Sequence, residues 1–202
     1  MIELKNVSVS YDGQSVIKNL SVTFEDGHIY AIAGASGIGK TTLLGTIAGL
    51  VPLTSGSIDS THKKISYIFQ EPRLFPWMTA LENVTCVCED EKKARKYLGL
   101  LLPDGIDKYP HELSGGMKQR VSIARALAYD ADLVLLDEPF KGLDDASKNN
   151  TVDVVLRELR GKTAILISHD KDELSLASDL YVMESSPVST LTKVKSGIPF
   201  AE

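Results

Sequence analysis

The segment Gly34-Ala35-Ser36-Gly37-Ile38-Gly39-Lys40-Thr41-Thr42 constrains this chain more than any other. It follows a short apolar run, His28 to Ala33, that contains β-branched Ile29 and Ile32, and it precedes a helical pattern through Leu43, Leu44, Ile47 and Leu50. Gly34 to Thr41 fits G-x-x-x-x-G-K-[ST] in the strand–loop–helix setting that gives this pattern its meaning. Its glycines let backbone N–H groups turn inward around a phosphate chain. The helix that follows adds about half a positive charge at its N-terminus. Lys40 is then expected to reach β- and γ-phosphates, and the Thr41 hydroxyl to ligate Mg²⁺. A dinucleotide fingerprint does not fit, because no glycine follows Gly39 at the required offset. The plainer alternative is an ordinary glycine-rich turn.

Two further segments add chemistry. Leu133-Val-Leu-Leu-Asp137-Glu138 is an apolar strand that ends in two carboxylates. Beside a phosphate-binding loop, Asp137 is expected to hold Mg²⁺ through water and Glu138 to polarise an attacking water. Alone, such a pair is more often a helix cap. In Leu113-Ser114-Gly115-Gly116-Met117-Lys118-Gln119-Arg120, Ser114 is a natural N-cap and the glycines bare a second helix N-terminus to an anion. The chain thus has two helix starts suited to phosphate but one lysine loop and one carboxylate pair. Either Ser114 simply caps its helix, or the second start serves a nucleotide held by another copy or a paired subunit.

Around these motifs the order of elements is readable. Residues 2–9 and 16–24 read as strands with a turn at Asp12-Gly13, and 56–69 as two more short strands. The charged segment 79–110 reads as a small helical insertion. A helix that starts after Leu113-Ser-Gly-Gly116 and runs to about 129, strand 133–136, a helix over about 145–160, strand 164–167, a short helix from Lys171 and strand 180–183 complete the pattern. Strands alternating with helices imply a parallel sheet covered on both faces, and the N-terminal strands, lacking crossover helices, an antiparallel sheet beside it. No linker divides the 202 residues, so one domain is expected: a catalytic core over about 1–70 and 130–202, with the insertion over about 71–129.

Composition excludes several classes. Hydrophobic residues are 43% and charged residues 24%, which rules out disordered and collagenous chains. A net charge of −5 argues against a nucleic-acid partner. Cys86 and Cys88, the two cysteines, are too close for an easy disulfide and too few for a zinc site, which suits a reducing cytosol. The first residues carry no apolar signal core, and no stretch approaches the roughly 18 apolar residues of a membrane span. A soluble intracellular chain is expected, touching a membrane through a partner. Leu74-Phe75-Pro76-Trp77-Met78 puts five apolar residues together where Pro72 and Pro76 disfavour helix and inner strand. It reads either as a lid folded back on the core or as a docking surface.

Gly34–Thr42, Gln70, Leu113–Arg120, Leu135–Pro139, Gly142-Leu143-Asp144 and Ser168-His169-Asp170, in this order, resemble the nucleotide-binding subunits of ABC transporters. The resemblance covers the chain from Tyr11 to His169. It implies an α/β P-loop NTPase core with an antiparallel β subdomain and a small α-helical subdomain. It also implies a head-to-tail dimer that sandwiches ATP between one P-loop and the other copy's Ser114-Gly115-Gly116. In it, Tyr11 resembles the aromatic that stacks on adenine. Gln70 resembles the residue joining Mg²⁺ to the membrane-subunit interface, His169 the switch on the γ-phosphate, and Asp144 the acid of the loop that crosses the dimer seam. Phe69 to Val84 looks like importers of nitrate, sulfonate, taurine and similar solutes. Transmembrane permease subunits, and indirectly a solute-binding protein, are then the partners, and the cytoplasmic face of the membrane the location. Met117 stands where many relatives have Gln, and Lys141 where they have a small residue. From the early end of the chain, little room for a regulatory domain is expected. A small-molecule phosphotransferase would not need Ser114-Gly115-Gly116, and a nucleic-acid-handling ATPase of this family generally carries coiled-coil arms, zinc modules or a second cassette.

Overall fold

The computed structural model describes residues 1–195. The first two strands, β1 (Ile2–Tyr11) and β2 (Gln14–Phe24), pair antiparallel across the Asp12-Gly13 turn, where both residues have positive φ. That backbone is what a two-residue hairpin of right-handed twist requires. Strand β3 (Ile29–Gly34) leads through the glycine loop into α1 (Lys40–Ile47). Helix α1 stops three residues before the expected Leu50. Gly49 takes φ 72, and the Leu50 N–H reaches back to the Gly45 carbonyl, a glycine-terminated end that leaves Leu50 exposed.

The two short strands expected over 56–69 separate. Strand β4 (Ser55–Ser60) pairs with β1, giving the antiparallel sheet β2-β1-β4, whereas β5 (Ile65–Ile68) begins the second sheet. Then come α2 (Ala80–Cys88), α3 (Glu91–Leu101) and α4 (Gly115–Tyr129), each started by a side-chain cap: Thr79 with Glu82 in a reciprocal capping box, Asp90 and Ser114. The rest is β6 (Leu133–Asp137), α5 (Asp145–Glu158), β7 (Thr163–Ile167), α6 (Lys171–Ser175), β8 (Asp179–Met183) and β9 (Thr192–Lys195).

The second sheet has the order β5-β6-β7-β3-β8-β9, parallel except for β9. Its inner strands β6, β7 and β3 are apolar on both sides, because both faces are covered. Ala31, Val134, Leu136, Ala164 and Leu166 pack on the helical side with α2 to α5. Tyr30, Ile32, Leu133, Leu135, Ile165 and Ile167 pack on the other side with α1 and the antiparallel sheet. The register aligns Ile32, Ile167 and Asp137 in one row. The carboxyl ends of β5, β6, β7 and β3 therefore open side by side on one edge. Four of the segments singled out in the sequence follow these four strands.

Candidate active site

That edge holds a cleft of about 840 Å³, a size suited to a drug-sized ligand. Ser36, Gly37, Gly39, Lys40, Thr41 and Thr42 line it from the loop after β3, Gln70 from the segment after β5, and Glu138, Phe140, Lys141, Gly142 and Leu143 from the segment after β6. Ser168, His169 and Asp170 line it after β7, Val16 from β2, and Asp145, Lys148 and Glu173 from α5 and α6. Outside the lining are Gly34, Ala35 and Ile38 of the loop, Asp137, and Tyr11, Ser114, Gly115, Gly116 and Asp144.

The loop's conformation explains its glycines. Gly37 has φ 75 with open space where a side chain would be, and at Gly39 (φ 119) a Cβ would come within 2.9 Å of Val16. The Lys40 ammonium donates to the carbonyls of Gly34 and Ala35, both at 2.8 Å, and is thus held over the loop's concave side with a third donor to spare. Burial pushes the Lys40 pKa down, and the nearby carboxylates of Glu138 and Asp137 oppose that shift.

Asp137, the last residue of β6, is buried beneath the cleft. Burial raises its pKa, against a hydrogen bond from Thr41 and another from the Tyr67 hydroxyl at 3.4 Å. A hydroxyl and a buried carboxylate in contact are hard oxygen donors, and a cation there would offset the desolvation of Asp137. The pair therefore fits Mg²⁺. Glu138 follows with φ 48, a left-handed conformation that is strained for a side-chain-bearing residue and clusters at functional sites. Its carboxylate is ringed by Gln70 Nε2 (3.0 Å), Lys141 Nζ (2.7 Å) and His169 Nε2 (3.4 Å).

The sequence reading missed a cluster that fixes His169. Lys148 on α5 pairs with Asp170 (2.5 Å) and Glu173 (2.6 Å), and Glu173 accepts from the Ser168 hydroxyl at 2.7 Å. Hydrogen bonds first to Asp170 and then to Glu173 push the Lys148 pKa up to about 12. The residues on both sides of His169 are thereby clamped. Three charges brought together from α5 and the start of α6 leave no local pattern in sequence; the Ser168-His169-Asp170 step alone hinted at the site.

Ser114 caps α4, its hydroxyl accepting from the Met117 N–H at 3.2 Å. A Cβ on Gly116 would come within 3.0 Å of the Gly142 carbonyl, so the start of α4 backs directly on the cleft's rim. Asp144 caps α5 by accepting from the Ser147 N–H at 3.0 Å, which holds its pKa down. Tyr11 is 47% exposed at the end of the first hairpin. Beyond Gln70, Phe75 and Trp77 are 40% and 68% exposed, so the segment does not fold back as a lid. It is fastened at both ends. Arg125 of α4 donates to the carbonyls of Pro72 and Arg73, both at 3.1 Å. The buried Asn83 amide accepts from the Phe75 N–H and donates toward the carbonyls of Phe75, Met78 and Thr79.

The family profile described as ABC transporter matches residues 17–141. An aliphatic sulfonates import ATP-binding protein, SsuB 1 of Pseudomonas savastanoi pv. phaseolicola, is 36% identical over 200 residues, covering 94% of this chain and 84% of its own length. The bicarbonate transport ATP-binding protein CmpD of a Synechocystis strain is 36% identical over 225 residues, covering 99% and 79%. Among solved structures, the ATP-binding cassette MJ0796 in a dimeric post-hydrolysis state with ADP and Pi superposes with a TM-score of 0.89 at 27% identity, covering 96% of this chain and 98% of that one. A cleft built by the carboxyl ends of parallel strands, a fold shared almost end to end and relatives matched over about four fifths of their length agree: the chain belongs to the ABC transporter family, as an ATP-binding, ATP-hydrolysing cassette.

Proposed function

We propose that this cassette powers the import of a small anion, of the sulfonate or bicarbonate kind named for its relatives, and that it works as a head-to-tail dimer beneath transmembrane permease subunits on the cytoplasmic face of the membrane. The observation that carries the catalytic part is the convergence of Lys40, Thr41, Gln70, Glu138 and His169 on one cleft from four adjacent strands. The backbone N–H groups of residues 36–42 and the Lys40 ammonium bind the β- and γ-phosphates. Thr41 and Asp137, with Gln70 at the edge, would hold Mg²⁺, which supplies charge neutralisation to the phosphate oxygens. Glu138 accepts the proton of the attacking water, and His169, clamped through Lys148, Asp170 and Glu173, faces the γ-phosphoryl group. Chemistry of this kind is mainly positioning and electrostatic stabilisation.

Ser114, Gly115 and Gly116 lie outside the chain's own cleft and are assigned to the nucleotide of a second copy or paired subunit, and Asp144 to the seam. Tyr11, at the hairpin end, is assigned to the adenine. Residues about 71–129 form the helical insertion of a single domain, and its exposed Phe75–Met78 segment is assigned to docking of the permease, with a solute-binding protein acting beyond it. No helix among the described residues is long and apolar enough to cross a membrane, as a peripheral subunit requires. Glu138→Gln tests the core of this reading. The amide cannot take a proton, so hydrolysis should fall about 10²- to 10⁴-fold. ATP binding should persist, and size-exclusion chromatography with ATP should show an accumulated dimer. A variant that hydrolyses at the wild-type rate would remove Glu138 from its role.

A further inference from the structure

Lys141 sits in the tight turn after β6, where its N–H reaches the Glu138 carbonyl at 3.3 Å and its side chain curls back over the same residue. The ammonium meets Glu138 Oε2 at 2.7 Å, and Gln70 Nε2 meets that same oxygen at 3.0 Å. An ionised carboxylate oxygen has two lone-pair sites. Oε2 therefore has both of its own engaged, one by a charge-assisted bond of the stronger kind. Among the described residues the other oxygen, Oε1, has only the long contact of 3.4 Å to His169 Nε2. The carboxylate is held firmly by one oxygen and only loosely contacted, by His169, at the other.

We propose that Lys141 is a positioning residue for hydrolysis: together with Gln70 it occupies Oε2 of Glu138 and so selects Oε1, the oxygen on the His169 side, as the one that receives the proton of water. The role rests on the assignment of Glu138 as general base. It follows the logic by which a base is oriented by a third group, here an ammonium three residues along the same turn. The bond is made at a partly shielded carboxylate, 17% exposed, by a lysine that is 61% exposed. Its loss should therefore change the rate only modestly, by about 3- to 5-fold. No other described ion pair involves Lys141, so its replacement removes this contact and little else.

The test is steady-state ATP hydrolysis by the full chain with Lys141→Met, which keeps the stem, Lys141→Arg, which keeps a charged donor, and Glu138→Gln in parallel. The expected result is a several-fold loss of kcat in Lys141→Met with KM for ATP and the melting temperature unchanged, and recovery of most of the loss in Lys141→Arg. Unchanged or raised kcat in Lys141→Met overturns the proposal while leaving Glu138 as base, provided Glu138→Gln is inactive. A raised KM with kcat preserved also overturns it, because the ammonium would then act on the nucleotide. Wild-type hydrolysis by Glu138→Gln overturns the general-base assignment itself, and the role of Lys141 with it.

Discussion

Asn83→Ala should cost this protein more stability than most single substitutions. Asn83 is fully buried in α2, and its amide is the internal fastener of residues 75–79. Its carbonyl accepts from the Phe75 N–H at 2.8 Å, while its two amide hydrogens serve three carbonyls at 3.0 to 3.1 Å. Two donors cannot make three full bonds, so the set amounts to one accepted and two donated bonds. At about 1 kcal/mol net for each, removal costs about 3 kcal/mol, because the Phe75 N–H loses its partner as well. In a chain of this size each kcal/mol moves the midpoint by about 2–4 °C, so thermal unfolding should shift by about 6–12 °C. Asn83→Asp sharpens the test. It keeps the acceptor for Phe75 but turns an anion toward carbonyl oxygens, so it should be no more stable than the alanine variant. Differential scanning calorimetry decides the matter. A shift under about 2 °C for Asn83→Ala, or a stable aspartate variant, would refute this accounting and show that the segment is held by other contacts.

Lys40→Ala should weaken Mg-ATP binding by at least about tenfold, the loss expected when a charged hydrogen-bond donor leaves a phosphate; equilibrium titration checks it, and unchanged affinity would refute the phosphate-cradle reading. Trp77→Ala should leave the melting temperature and basal hydrolysis near wild type, since the ring is 68% exposed, yet weaken co-purification with the permease by about tenfold or more. Intact capture would place the docking surface elsewhere.

What could be read in the sequence was local. The glycine loop, the carboxylates after β6, the cap at Ser114 and the two sheets follow from spacing and short patterns. The divergence of β4 and β5 into different sheets could not be read, because strand pairing joins residues dozens of positions apart, as Leu4 with Ile58 and Ile65 with Leu133. Strand β9 was missed because four residues, Thr-Lys-Val-Lys, at a sheet edge carry too little alternation to stand out. Within the site, Lys148, Asp170 and Glu173 meet only after α5 and α6 pack. The Gln70–Glu138–Lys141 arrangement likewise depends on a left-handed backbone at Glu138 that no residue type there announces. Side chains that act through local backbone are legible; those that act across the fold are not.

The fastening of residues 72 and 73 to Arg125 makes α4 a lever. Arg125 lies ten positions beyond Gly115 on a continuous helix, a separation of about 15 Å along its axis. A rotation of only about 10° about the Arg125 end would swing the Ser114 end through about 2–3 Å, the geometry of a rigid rod of that length. That arc exceeds the tolerance of a hydrogen bond, whose strength falls steeply beyond a few tenths of an ångström. A tilt too small to disturb the packing at one end thus suffices, at the other, to make or break the phosphate contact proposed for Ser114.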